Sequence, residues 1–143
     1  MPIDPMLNPN RTPTKKDLED FLGVSRYRRF DAIYEELVGL KLRARFVWSE
    51  PDKIWFIRFY SGKAPIFSIR WGIDFFYAYL ILEAKYSKKI ARHKDITPDA
   101  LELLQKNPSN PIKHTTGVEA NLEMMKEQEA FFHLLPVLIR ELG

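Results

Sequence analysis

The chain has 143 residues, a formal net charge of +3 and no cysteine. Its length suits one domain, and its content of 45% hydrophobic and 13% aromatic residues indicates a folded globule rather than a disordered chain. The lack of cysteine excludes disulfides, thiolate–metal centres and a thiol nucleophile, and no apolar run approaches the ~20 residues that a membrane-spanning helix needs.

Residues 1–13 contain four of the ten prolines and no periodic pattern, so we expect an extended N-terminal arm ahead of a single domain over residues 14–143. The arm lacks the basic and apolar regions of a secretion signal, and we therefore expect a cytoplasmic location. Thr14 and Asp17 have the spacing of a capping box, in which each side chain accepts a hydrogen bond from the other residue's amide. This pattern predicts a short helix that ends at Gly23.

The next segment predicts a second helix. Ser25 is placed to cap its start, and Tyr27, Phe30 and Leu37 share one side of it at helical spacing. Gly39 is a suitable end for this helix.

Four extended runs follow, separated by short turns around Pro51, Gly62 and Gly72. Because such links are too short for a crossover, consecutive strands should pair antiparallel as a meander. The predicted strands are Leu42–Trp48, Ile54–Tyr60, Ile66–Trp71 and Phe75–Leu82.

Helices are predicted again beyond the fourth run. Ser87–His93 is a candidate for a short basic helix, and Thr97 followed by Pro98 is typical of a helix start because proline at the first helical position loses no hydrogen bond. Asn107–Pro111 contains two prolines and two asparagines and indicates a loop.

From Val118 to Leu142 the apolar residues recur at helical spacing and predict a C-terminal helix. Pro136 should kink this helix or divide it in two, since proline in a helix interior costs ~3 kcal/mol. The predicted fold is therefore α+β, with a four-stranded antiparallel meander sheet packed with N-terminal and C-terminal helices in two layers.

Strand alternation separates two kinds of side chain on the predicted sheet. Trp48, Trp55 and Trp71 fall on one face with other apolar residues, and this face predicts a core covered by helices. The opposite face carries arginines and tyrosines: Arg43, Arg45, Arg58, Tyr60, Arg70, Tyr77 and Tyr79. Arginine presents a planar fork of donors to anions and tyrosine a ring for stacking, so this face could bind a small anionic or aromatic ligand.

Two other interpretations of this face stay open. It could be the solvated side that an antiparallel sheet normally has. Alternatively, the C-terminal helix could cover it, with Glu83, Asp74 or a helix glutamate pairing the arginines. Both the assignment and its alternatives depend on register, because a shift of one residue exchanges the two faces.

Catalytic chemistry has little support in the sequence. His93, His114 and His133 are far apart and lack metal-ligand spacing, and the six isolated glycines cannot build a phosphate-binding loop. We assign no catalytic residue, no metal and no cofactor, and lean towards a non-enzymatic binding or interaction module. The alternative is a small enzyme whose acid and base meet only in the fold, with His114 and Glu83 as candidates.

Two kinds of macromolecular partner also arise. Arg26–Arg29 is a basic and aromatic cluster that, with Arg43 and Arg45, could hold single-stranded RNA. The sheet lacks the glycine and aromatic signature of an RNA-recognition motif, however, which argues against nucleic acid. Edge strands with aromatic residues predict a homodimer instead.

The stretch from Met6 to about Leu82 resembles a family of small bacterial proteins catalogued only as a domain of unknown function. The matching features are Met-Leu-Asn-Pro at the start, Pro13-Thr14, a helix ending Phe21-Leu22-Gly23, the Trp48 strand and the aromatic hairpins. The C-terminal part departs from the family, because a late tryptophan-containing strand is not found and residues 114–118 replace it only weakly. The resemblance implies a compact α+β domain and supplies no catalytic residue.

Overall fold

A computed structural model describes residues 4–107 and 109–143 of the chain. Within these residues there are five α-helices and five strands, so the predicted α+β class is confirmed and the predicted four strands are corrected to five. The elements in chain order are α1 Lys15–Leu22, α2 Val24–Gly39, β1 Arg43–Ser49, β2 Ile54–Ser61, β3 Ala64–Trp71, β4 Phe76–Glu83, α3 Ala84–Ala91, α4 Pro98–Gln105, β5 Thr115–Asn121 and α5 Met125–Leu142.

The five strands form one open antiparallel sheet in the order β1-β2-β3-β4-β5. The first four are joined by short turns and pair as the predicted meander. In the β2–β3 hairpin Ser61 pairs with Ala64, and Gly62 takes a φ of 60°, a conformation that glycine adopts without strain.

β5 was predicted as the start of the C-terminal helix, and that prediction is wrong. Val118 and Leu122 are four residues apart, a spacing that fits one turn of helix and also two repeats of a strand. In the structure the segment has the alternating burial of a strand, since Thr116, Val118 and Ala120 are buried while Gly117 and Glu119 are not. The strand then pairs along its whole length with β4, from Glu83↔Thr115 to Tyr77↔Asn121.

The helices pack on one face of the sheet, which we call the inner face. On α2 the ring of Phe30 lies 5.9 Å from Trp71 and 5.8 Å from Phe76, and on α5 the ring of Phe131 lies 4.8 Å from Phe67. The tryptophan-rich face is therefore the one that helices from both ends of the chain cover, as predicted. The C-terminal helix lies against this face and leaves the arginine–tyrosine face open.

The N-terminal segment is held against the domain rather than extending from it. Residues 5–7 form a 3₁₀ turn with Met6 fully buried, and the Trp55 indole donates to the Asn8 carbonyl at 2.7 Å. Residues 1–3 of the predicted arm lie outside the described residues. The Thr14–Asp17 capping box is present, with both reciprocal hydrogen bonds.

α2 begins two residues earlier than predicted and without a side-chain cap. Gly23 has a φ of 85°, ends α1 and is immediately followed by α2, so no linker remains in which Ser25 could act as the cap. The Ser25 hydroxyl instead accepts a hydrogen bond from Arg29 at 3.3 Å.

The C-terminal helices differ from the prediction in two ways. α3 begins at Ala84 rather than at Ser87, and α5 runs as one helix through Pro136, so the predicted division into two helices is wrong. Pro136 is exposed, while Leu135 and Val137 beside it are buried. Burial on both sides of the proline thus offsets its cost and keeps α5 whole. α4 starts at Pro98 with Thr97 as its cap, as predicted, and Pro108 of the predicted loop lies outside the described residues.

Across residues 4–107 and 109–143, none of the helices has both the length and the apolar character required to cross a bilayer.

Candidate functional site

The strand register places the seven predicted site residues on one face of the sheet, which we call the outer face. Arg45 lies opposite Arg58 and Arg43 opposite Tyr60. The face continues into β3 and β4, where Arg58 pairs with Ser68, Ser68 with Tyr79, and Arg70 with Tyr77.

The ladder between β3 and β4 is interrupted halfway along the two strands. Their pairs run from Trp71↔Phe76 to Ser68↔Tyr79. Beyond that point residues 64–65 of β3 pair with β2, whereas residues 80–83 of β4 pair with β5. The two strands therefore separate within the sheet.

Pro65 and a register shift explain why the strands separate. Proline has no amide hydrogen to donate, and Pro65 occupies the second position of β3, opposite Tyr60. The register of β2 and β3 shifts between Phe59 and Tyr60, and such irregularities bend a strand and increase its twist.

A cavity of about 280 Å³ occupies the place where β3 and β4 separate. The polar groups that line it are Arg58, Ser68, Arg70 and Tyr79, and they belong to the outer face. The remaining lining is apolar and comes from the separated strand ends: Pro65, Ile66, Phe67, Leu80 and Ile81. This cavity brings three of the seven predicted residues together, namely Arg58, Arg70 and Tyr79.

Phe56 forms a platform beneath the two arginines. Its ring is on the outer face but only 3% exposed, with the Cζ of Arg70 4.1 Å and the Cζ of Arg58 5.3 Å from its centroid. A guanidinium stacked on a ring keeps its edge free for hydrogen bonds and loses little freedom on binding. The arginines are thus pre-positioned.

Arg70 is further fixed by polar contacts. Its Nε donates to the Ser68 hydroxyl at 3.3 Å, and that hydroxyl donates to the Tyr79 carbonyl at 3.3 Å. One terminal nitrogen reaches Asp52 at 3.4 Å, but the Asp52 side chain is 62% exposed, so the ion pair is weak. The ion-pair partner of Arg70 is therefore Asp52, and not Glu83, Asp74 or a helix glutamate as considered from the sequence.

The other three arginines keep their charge available. Arg43 stacks on Tyr60 at 5.3 Å and donates to the Gly62 carbonyl, while Arg45 and Arg58 lie directly opposite each other. Among the described residues no carboxylate forms an ion pair with Arg43, Arg45 or Arg58. Two like charges in register repel, and a bound anion would relieve that repulsion.

The tyrosines differ in their environment. Burial raises the pKa of the Tyr77 hydroxyl, Glu119 acts in the same direction, and Arg70 opposes both. Tyr77 is therefore a neutral hydroxyl that can donate a hydrogen bond at physiological pH. Tyr79 lies closer to the cavity, with its ring 5.3 Å from the Arg70 Cζ, and Tyr60 lies nearer the β1 edge with Arg43.

The candidate acid and base of the enzyme hypothesis do not form a pair. The His114 side chain is exposed, and its backbone carbonyl accepts from the Ala84 amide, while the Glu83 carboxylate lies 3.6 Å from Lys85. Within the described residues no group of three or more histidines and carboxylates is arranged to hold a metal ion.

The other two histidines take part in contacts between helices. Nδ1 of His133 on α5 lies 2.7 Å from Asp99 on α4, and His93, which follows α3, lies 3.8 Å from Glu141 on α5. Neither histidine lines the outer-face cavity.

The basic cluster of the RNA hypothesis is separated from the outer-face arginines. Arg26 and Arg29 both donate to Glu123, which is 11% exposed, and α2 packs on the inner face. The sheet therefore lies between this cluster and Arg43 and Arg45, and one strand of RNA would not follow both along a single groove.

Sequence reasoning missed the apolar half of the cavity. Ile66, Phe67, Leu80 and Ile81 all lie within the predicted strands, but the alternation along those strands predicts no ligand contact for them. Pro65 was the available signal, since a proline near the start of an internal strand indicates a ladder that cannot be complete.

Comparisons of the chain with protein-family models, with curated proteins and with solved structures give no match. The resemblance of residues 6–82 to an uncharacterised bacterial family accordingly stays a prediction.

Proposed function

We propose that the protein is a non-enzymatic binding module that holds a small organic anion in the outer-face cavity between β3 and β4. The ligand carries a carboxylate or a similar anionic group and an aromatic or branched apolar part. The observation that carries this proposal is a cavity with two stacked arginines at one wall and apolar strand ends at the other.

The charge of the site favours a ligand with a single negative charge. Arg70 is partly neutralised by Asp52, whereas Arg58 has a cation–π contact with Phe56 and no ion pair among the described residues. Of the residues that line the cavity, Arg58 thus carries a positive charge with no ion-pair partner among the described residues. A monoanion matches it, and its hydrogen bonds to a guanidinium would be of the stronger, charge-assisted kind.

The shape of the cavity favours a small ligand with an apolar part. Its volume of about 280 Å³ lies near the lower end of ligand pockets. Ile66, Phe67, Leu80 and Ile81 would contact the apolar part, while Ser68 and Tyr79 offer additional polar atoms. No nucleophile with an adjacent base lines the cavity, so we propose binding without catalysis.

Benzoate is a suitable probe because it combines charge and ring. Benzyl alcohol has the ring without the charge, and acetate has the charge with almost no apolar surface. We expect benzoate to raise the melting temperature and to give a saturable calorimetric binding curve, with much weaker effects of the other two. Equal effects of acetate and benzoate would contradict the role of the apolar wall.

Arg58→Gln is the decisive variant, and Arg28→Gln is its matched control because Arg28 is an exposed arginine on α2, away from the cavity. Losing a charged hydrogen bond should weaken benzoate binding at least about tenfold in Arg58→Gln. The control should bind as the unchanged protein does. If no organic anion stabilises the protein, or if both variants bind alike, the proposal is wrong.

A further inference from the structure

We propose that β1 is a self-association edge, at which two copies of the chain pair their β1 strands antiparallel about a two-fold axis and form one continuous sheet. This inference goes beyond the ligand site and does not depend on it. It assigns the partner as a second copy of this chain.

The two edges of the sheet differ in protection. At the β5 edge, Asn107 donates to the Gly117 carbonyl, the Asn110 amide donates to the Thr115 carbonyl at 2.7 Å, and the hydroxyls of Ser109 and Thr116 lie 2.8 Å apart. A loop therefore occupies part of that edge.

The β1 edge has no such cover. Within the described residues β1 pairs with β2 alone, in unbroken register over all seven residues from Arg43 to Ser49. The strand contains no proline, lysine or bulge, which are common protections of an edge. Its only charges, on Arg43 and Arg45, both lie on the outer face.

The sequence of β1 is complementary to itself when Phe46 lies on the two-fold axis. All seven residues are then paired, and Arg43 faces Ser49 and Arg45 faces Val47 of the second copy, so no arginines are directly opposed. Registers centred on Ala44 or Arg45 would set arginine against arginine, which is unfavourable.

On the inner face, the same register brings together side chains of complementary size. Ala44 faces Trp48 of the second copy, a small residue against a large one, and the two Phe46 rings form an aromatic pair of the kind that stabilises sheets. Phe46 and Trp48 are only half-buried in the single chain. A cavity of about 150 Å³ lined by Ala44, Phe46 and residues of α1 and α2 lies beneath β1, so the apolar layer is incomplete there.

A charged residue introduced at position 47 tests the pairing of the two β1 strands. Val47→Lys would place an ammonium opposite Arg45 of the second copy at two positions per dimer, and we expect it to weaken the dimer at least about tenfold. Adding Arg45→Glu should restore the dimer, because each like-charge pair becomes an opposite one. Light scattering over a wide concentration range distinguishes the monomer, with a mass of 16.9 kDa, from the dimer, with twice that mass.

Circular dichroism separates dissociation from unfolding in these variants. A folded double variant that remains monomeric contradicts the register, and a Val47→Lys protein that remains dimeric contradicts the use of β1. A monomer of the unchanged chain at every concentration overturns the proposal and leaves the edge for a strand of another protein.

Cysteine cross-linking gives a second, independent measurement, since the chain has no cysteine of its own. In Phe46→Cys the two thiols of a dimer face each other across the two-fold axis, at a distance suited to a disulfide. In Val47→Cys the two thiols are offset from each other by two residues along the paired strands. We expect a disulfide dimer to form much faster in Phe46→Cys. Equal rates, or a faster Val47→Cys, would refute the register.

Discussion

Replacing Phe30 with alanine should remove a large aromatic contact between α2 and the sheet. The Phe30 side chain is 1% exposed and meets both Trp71 and Phe76 edge to face, at 5.9 and 5.8 Å between centroids. It also contacts Tyr34 on its own helix, at 5.9 Å. One ring therefore joins α2 to the ends of β3 and β4.

The expected loss follows from these contacts. Truncating a buried phenylalanine to alanine costs about 3–5 kcal/mol, through lost apolar burial and the cavity that remains. Each edge-to-face pair contributes about 0.5–1.5 kcal/mol beyond the buried area, which places Phe30→Ala near the upper end, at about 4–5 kcal/mol. Since a domain is typically stable by about 5–15 kcal/mol, this variant should approach the limit of folding.

Urea unfolding measures the loss, with tryptophan fluorescence and circular dichroism as two probes that should give one transition. Val38→Ala is a control on the same helix, because Val38 is 44% exposed, and we expect a change within about 0.5 kcal/mol. If Phe30→Ala loses less than about 2 kcal/mol, the aromatic contact does not hold α2 as described.

Four further predictions concern a helix cap, the pKa of a carboxyl group, an ion pair and a turn. Thr97→Ala should destabilise α4 by about 1 kcal/mol because the Thr97 hydroxyl accepts from the Ala100 amide, and unchanged urea midpoints would contradict this role. Hydrogen bonds hold the pKa of the Asp99 carboxyl below its ordinary 3.8, the largest effect coming from Thr97 and a further one from His133. The carboxylate therefore stabilises the folded protein fully above pH 3.8, and this stabilisation is lost as the pH falls through the lower pKa of the folded state. The melting temperatures of the unchanged protein and of Asp99→Asn should accordingly converge in strong acid, and a constant difference would contradict this role. Glu123→Gln should cost about 1–2 kcal/mol at low salt and less in 1 M salt, since Arg26 and Arg29 lose their shared partner, and a loss independent of salt would argue against an ionic cause. Gly62→Ala should cost about 1–2 kcal/mol in thermal or urea unfolding because its φ of 60° is unfavourable with a Cβ, whereas Gly39→Ala, at the end of a helix with open space around it, should not destabilise.

Local signals in the sequence were reliable where the structure itself is local. The Thr14–Asp17 box and the Thr97-Pro98 start define helices because their hydrogen bonds join residues two to four positions apart. The alternation in β1 to β4 separates the two faces for the same reason, since each strand pairs with its neighbour through a short turn.

The features that the sequence could not predict depend on distant partners. β5 carries a spacing compatible with helix and strand, and only its pairing with β4 makes it a strand. The cavity forms because the end of β4 pairs with β5 while the start of β3 pairs with β2, and Pro65 signals only the β3 half of this arrangement. Asp52, the partner of Arg70, comes from the β1–β2 turn and is 18 positions away in the chain.

The late arrival of β5 has a consequence for how the chain folds. Forming the hairpins from β1 to β4 closes only short loops. β5 is separated from β4 in the chain by α3 and α4, so its pairing with β4 closes a much longer loop at a larger entropic cost. During synthesis β4 is therefore a temporary outer strand with free backbone groups until residues 115–121 have emerged and docked. We expect misassembly to compete with folding at the docking of β5, and a chain cut before Thr115 should be prone to aggregate although its meander is complete.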